Sequence, residues 1–325
     1  MIILRADYSF PEQGASRFIL LFGRGLIGDN IVTSLQSIGS TKTSELPYDW
    51  ESKAARATCG EKILAQLRTG GSDVHRIDFI WAAGRAGFGA GEAELAPELS
   101  AFADVLELAQ KSIDANPAAL HVFHHTSSAG GLFEGQRLVN SDSAPGPKRP
   151  YGVCKLEQEH MLSRLGDSCK KLIYRPSSVY GYSARSLRTG VISALISNNL
   201  NRRMTRVFGN SDTIRDYISA ADIGRFVSTR VQAHPNNNRT VYTLASGKPT
   251  SLYEVLCTVR SVTGQPLMLR FDPQPNNSDD ITFDQSILPD DLKTIDLRTG
   301  IRLTLLQMSS AFADRTSYEQ SSPLS

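Results

Sequence analysis

At 325 residues, with 21% charged and 40% hydrophobic residues, the chain is long enough for one large domain or two unequal lobes with a sizeable core. A formal net charge of +2 supplies no basic field for nucleic acid, and no apolar stretch approaches the roughly 18 residues of a membrane-spanning helix. Four scattered cysteines, Cys59, Cys154, Cys169 and Cys257, lack the spacing of a zinc site or a secreted disulfide framework, so reduced thiols and a cytoplasmic location are expected.

In chain order, residues 1–16 carry Pro11 and Gly14 without clear periodicity and read as an N-terminal extension ahead of the first strand. Residues 18–22 are a short apolar run ending in glycine, as expected of a parallel strand buried on both faces. Ile27, Ile31, Leu35 and Ile38 then mark one face of a helix over residues 26–38. Residues 40–50 are mostly polar, and no second strand can be placed there. Further strands are expected at 77–81, 120–125, 171–174 and 241–244, with helices over 54–68, 99–111 and 151–165. This alternation predicts an α/β fold with a doubly wound parallel sheet. After Gly181 the pattern turns to helix and loop, with turn-rich stretches at 235–239 and 272–280.

Gly23-Arg24-Gly25-Leu26-Ile27-Gly28 fits G-x-G-x-x-G between the first predicted strand and helix, where glycines allow close backbone approach to a pyrophosphate at a helix N-terminus. An acidic partner for a ribose is expected about twenty residues further on. Glu45 and Asp49 are the candidates, while Arg24 or Lys42 could instead face a 2′-phosphate, so NAD and NADP both stay open. Tyr151 and Lys155 are four residues apart on one helix face, and a cation beside a phenol of pKa about 10 favours the phenolate. An isolated match of this kind is more often a surface pair, so its surroundings decide. They include Thr126-Ser127-Ser128-Ala129 at the end of a strand, where ligands gather in such sheets.

The glycine turn, Trp81-Ala82-Ala83-Gly84, the serine pair, Tyr151-x-x-x-Lys155 and Arg175-Pro176-Ser177-Ser178-Val179-Tyr180-Gly181 follow one another in the order of the extended short-chain dehydrogenases/reductases. Arg215-Asp216-Tyr217-Ile218, followed by Ala221-Asp222, and the segment 242–251 extend this resemblance to the NAD-dependent epimerase/dehydratase family, over residues 17–305. The resemblance implies a Rossmann-type NAD(P)-binding domain over 17–182, completed by 215–246. It leaves 183–214 and 247–325 for a smaller substrate-binding lobe.

It also implies the site. Tyr151 would be the general acid/base, Lys155 would lower its pKa and hold the nicotinamide ribose, and Ser128 would hydrogen-bond the reacting oxygen. Gly23, Arg24, Gly25, Leu26, Ile27, Gly28, Ala82, Ala83, Gly84, Tyr151, Lys155, Arg175 and Pro176 would bind NAD or NADP. Ser128, Ser178 and Arg215 would bind a nucleotide-sugar substrate, with Arg215 on its diphosphate, and no metal is expected. A homodimer is compatible with the family, and no nucleic-acid or membrane partner is expected. The sequence departs from the family at Glu98, where asparagine is common, and at Ser178, which also replaces an asparagine.

His121, His124 and His125 do not suggest a metal site, because a strand sends the last two to opposite faces and separates His121 from His125 by roughly 13 Å. Cys154 reads as a packing residue. Ala129 and Gly130 follow Ser128 where dehydratases and decarboxylases of the family carry acidic residues, and no cysteine stands near as in a 3,5-epimerase/reductase. Reduction of a 4-keto sugar nucleotide or 4-epimerisation with tightly held NAD remain. The reductase is narrowly preferred, because the acidic ribose partner is not obvious. A non-catalytic dinucleotide sensor is the alternative of another class, disfavoured by the Tyr151–Lys155 pair.

Overall fold

The computed structural model describes residues 2–7, 16–38, 41–46, 48–50, 52–69, 74–84, 87–186, 190–272 and 279–321. Most of the 8–15 and 272–280 stretches lies outside these residues, as does the side chain of Lys42.

The first half runs β1 (Ile2–Asp7), β2 (Ser16–Phe22), α1 (Leu26–Ile38), β3 (Thr41–Glu45), α2 (Lys53–Thr69), β4 (Val74–Trp81), α3 (Glu92–Ala115) and β5 (Leu120–Thr126). It continues through a single turn, α4 (Ala129–Leu132), then α5 (Pro150–Met161), β6 (Cys169–Pro176) and β7 (Ser178–Tyr180). The remainder is α6 (Val191–Leu200), β8 (Thr205–Phe208), β9 (Ile214–Ser219), α7 (Ala220–Gln232) and β10 (Arg239–Leu244), then β11 (Pro249–Ser251), α8 (Leu252–Thr263), β12 (Leu269–Asp272) and α9 (Leu297–Ser321).

Seven strands form one sheet in the order β10-β6-β5-β4-β2-β1-β3. β2, β4, β5, β6 and β10 are mutually parallel, as the alternating pattern requires. In β2, Phe18, Leu20 and Phe22 enter one apolar layer with α2 and α3, while Ile19 and Leu21 enter the other with α1 and α7. Burial on both faces explains why this strand reads as an unbroken apolar run.

The N-terminal segment differs from its reading as an extension. β1 pairs antiparallel with both β2 and β3, inserted between them. Ile2 joins one apolar layer and Ile3 the other, each nearly fully buried. Burying such a side chain stabilises by roughly 1.5–3 kcal/mol, enough with the ladder hydrogen bonds to hold a short strand. The unplaced second strand is β3, whose sequence Thr-Lys-Thr-Ser-Glu suits an edge.

Beyond the sheet, β7, β9 and β11 form a three-stranded sheet and β8 pairs with β12. α6, α8 and α9 enclose a separate apolar cluster around Leu195, Val255 and Ile301. No helix among the described residues is long and apolar enough to cross a membrane.

Inside the main sheet lies a buried charge cluster. Asp78 on β4 accepts from Arg17 Nε at 2.8 Å, Arg76 Nη2 at 2.8 Å and His124 Nε2 at 2.9 Å. His124 Nδ1 accepts from the Tyr174 hydroxyl at 2.8 Å, and Arg76 donates to the Ala233 carbonyl at 2.7 Å. Burial opposes the Asp78 charge, yet the two guanidiniums and His124 hold its carboxyl well below the usual range. His121 faces the other way, toward Ser112 on α3, and His125 packs on Phe102. Burial lowers the pKa of all three histidines.

Candidate active site

The glycine turn joins β2 to α1 and divides its work among three positions. Gly23 has φ +99°, and a Cβ there would stand 2.4 Å from the Ala83 backbone. A Cβ on Gly28 would meet the Gly23 carbonyl oxygen at 1.9 Å, so this glycine lets the helix close on the turn. Gly25 alone faces open space, with nothing within 4 Å of its Cβ position. That is the vacancy a pyrophosphate needs beside the helix N-terminus, and the turn fits a dinucleotide.

Ser127 and Ser128 directly follow β5. Ser128 caps α4, its hydroxyl accepting from Gly131 N–H at 3.0 Å, which leaves its own proton to donate. Ser127 instead donates to Glu159 Oε1 at 2.6 Å. Tyr151 follows Pro150, which starts α5. Its ring packs on Gly131, where a Cβ would come within 3.1 Å of ring atoms, and a Cβ on Gly152 would meet the Gly131 carbonyl oxygen at 2.1 Å. These two glycines therefore bring the start of α5 against α4, close to Ser128.

One turn later, the Lys155 ammonium lies 5.8 Å from the Tyr151 ring centre. It donates to Glu98 Oε1 at 2.7 Å and to Gln158 Oε1 at 3.2 Å. Burial, the largest influence, works against the ammonium, but the charge and hydrogen bond of Glu98 together with Tyr151 and Cys154 outweigh it and raise the Lys155 pKa. Burial, with Glu98 adding, pushes the Cys154 thiol up to about 12, which makes it a poor nucleophile.

The glycine turn, the serine pair, Tyr151, Lys155 and Glu98 open on one cleft of 1410 Å³. Its lining includes Gly23, Arg24, Gly25, Leu26 and Ile27, the turn Ala82–Gly84, and Ser128, Tyr151, Lys155, Pro176, Ser178 and Arg215. Drug-sized ligands fill roughly 300–1,000 Å³, so this cleft has room for two extended molecules. Arg215, on β9, is half-buried beside Tyr217, and burial lowers its pKa.

Arg175 requires a correction. Its side chain does not line the cleft; its guanidinium makes a two-pronged pair with the buried Glu159, at 2.9 and 2.7 Å. A buried carboxylate needs such a partner, and α5 supplies it behind the site. Gly28 likewise acts through helix packing rather than on the cleft wall. In the sequence Glu98 stands out only as a departure from the family. The available signal was its place among Leu95, Phe102 and Val105 on the buried face of α3, a carboxylate at a core position. Of the ribose candidates, Glu45 ends β3 and pairs with Arg24 of the glycine turn and with Arg185, each at 3.1 Å. Asp49 caps the turn before α2 by accepting from Ser52 N–H at 3.0 Å.

The family model for the NAD dependent epimerase/dehydratase family matches residues 19–245. The chain belongs to that family. It is 31% identical over 163 residues to a UDP-glucose 4-epimerase of Streptomyces lividans, covering 45% of this chain and 48% of that one. It is 26% identical over 198 residues to an uncharacterised UDP-glucose epimerase of Bacillus subtilis, covering 59% and 61%. The matched part thus spans about half to three-fifths of the length of these curated relatives. In fold it resembles the Thermus thermophilus UDP-glucose 4-epimerase solved with NAD, at 19% identity and TM-score 0.71, over 90% of this chain and 99% of that one.

Proposed function

We propose that this chain is an NAD-dependent sugar nucleotide 4-epimerase. The supporting observation is a single cleft that holds the glycine turn, the Ser128–Tyr151–Lys155 group and Arg215 together. On this reading the turn 23–27 receives the pyrophosphate, Ala82, Ala83, Gly84 and Pro176 line its path, and Lys155 holds the nicotinamide ribose. NAD, when bound, supplies a reversible hydride acceptor. Tyr151 takes the proton of the sugar 4-hydroxyl and returns it after the sugar has presented its other face. Ser128 hydrogen-bonds the same oxygen, Ser178 lies in the sugar pocket, and Arg215 holds the diphosphate through charge-assisted bonds.

The narrow preference for a reductase follows from an acidic ribose partner that is not obvious in the sequence. Glu45, beside the glycine turn, supplies a carboxylate there and removes that ground. The relatives named as UDP-glucose epimerases point the same way. The test is to purify the protein, quantify dinucleotide released on denaturation, and incubate it with UDP-glucose. Retained NAD and formation of the C4 epimer without net cofactor reduction are expected. Stoichiometric oxidation of NADPH by a 4-keto sugar nucleotide, with no epimerisation, would establish the reductase instead.

A further inference from the structure

We propose that Glu98 is a positioning residue for Lys155, holding the ammonium in a buried ion pair and so limiting how much positive charge reaches the Tyr151 phenol. The inference rests on the reading of Tyr151 and Lys155 given above.

Glu98 and Lys155 are both buried, with Glu98 8% and Lys155 4% exposed. Glu98 Oε1 accepts from Lys155 at 2.7 Å and from Gln158 Nε2 at 3.0 Å, so one oxygen serves two donors. Oε2 is buried with no hydrogen-bond partner among the described residues, at the cleft wall beside Gly84. Folding does not reward a buried carboxylate left half unsatisfied, and an apolar residue of similar volume would suit the α3 core better. A charge kept under those conditions beside an acid/base pair has the placement of a functional group.

A bare ammonium near a phenol draws off its proton. With a carboxylate 2.7 Å away the same ammonium becomes one end of a dipole, whose potential falls off faster than that of a lone charge. Among the described residues, Cys154 sits on the same helix as Tyr151, Glu94 on α3 lines the same cleft, and His125 on β5 feels the Lys155 charge. Arg149 stacks on the Phe88 ring that abuts Tyr151, and Arg215 lines the same cleft. Cys154 and His125 stay neutral near pH 7, and Arg149 is paired with Glu134 at 2.7 Å. Among the described residues, Glu98 is therefore the opposite charge in direct contact with Lys155.

The experiment is a tyrosinate absorbance titration of the full chain as purified, with the Tyr151 contribution isolated by subtracting Tyr151→Phe in each background. Glu98→Gln keeps the shape and removes the charge. The Tyr151 contribution is expected to titrate at least about one pH unit lower in Glu98→Gln, a tenfold change in proton affinity. The acid limb of the turnover profile should move the same way, and Glu98→Asp should restore the wild-type midpoint. An unchanged or higher midpoint in Glu98→Gln overturns the proposal. If that variant does not fold, Glu98→Asn makes the same charge change and carries the same two outcomes. The titration needs no sugar nucleotide, so failure of the epimerase reading and failure of the Glu98 role are separately visible.

Discussion

Two buried carboxylates in this molecule stand in opposite situations. Asp78, within the sheet, has Arg17, Arg76 and His124 around it and ties β2, β4 and β5 together. Glu98, at the cleft wall, has one oxygen in use and one without a hydrogen-bond partner among the described residues. Chemically they are the same group. A saturated network fixes geometry and can do little else, whereas a half-saturated one beside Tyr151 and Lys155 stays available to a reaction.

The largest effect expected from either region is on turnover. Tyr151→Phe should lower it by about 10²–10⁴, with thermal stability and dinucleotide affinity little changed. Near-normal turnover would detach the cleft group from catalysis and erase the contrast. Asp78→Asn should do the reverse, because it leaves Arg17 and Arg76 buried without their counter-charge. A loss of about 3–5 kcal/mol in urea unfolding is expected, while the folded fraction keeps its turnover. A loss under about 1 kcal/mol would mean that the core cluster is not structural in this sense.

Arg215→Ala sharpens the comparison at the far side of the cleft. Binding of a nucleoside diphosphate should weaken by about 1.5–3 kcal/mol by calorimetry, with little change for NAD. Equal binding by both proteins would remove Arg215 from the substrate site.

The remaining effect is on pH dependence. The folded pKa of His121, His124 and His125 lies below the ordinary 6.5, so the unfolded chain binds more protons as pH falls past that value. Their contribution to stability is complete above about pH 6.5 and declines below it, by at most about 1.4 kcal/mol per pH unit for each histidine. Urea midpoints that hold constant from pH 7 to pH 5 would contradict this. The depressed Asp78 carboxyl adds its own loss only in stronger acid, below the usual 3.8.

What could be read from sequence was what local pattern determines. β2 is apolar because both of its faces are covered, and Tyr151 and Lys155 share a helix face through their spacing alone. The pairings that escaped were distant ones. β1 has a brief apolar start before Arg5 and Asp7, and its place depends on antiparallel partners on both sides. β3 is polar because an edge strand buries little. Arg175 was assigned to the cofactor because nothing local reveals that Glu159 claims it. The partner of Glu98 lies 57 residues away, on another helix.

The insertion of β1 also bears on how copies of the chain could entangle. One side of β2 is sealed by β1 alone, in an antiparallel pairing. Peeling away Ile2–Asp7 would expose the row of N–H and C=O groups along β2 and leave β3 without its ladder. An open edge of that kind is a template for strand exchange between molecules. Protection of the β2 edge against strand exchange therefore rests on the backbone pairing of Ile2–Asp7.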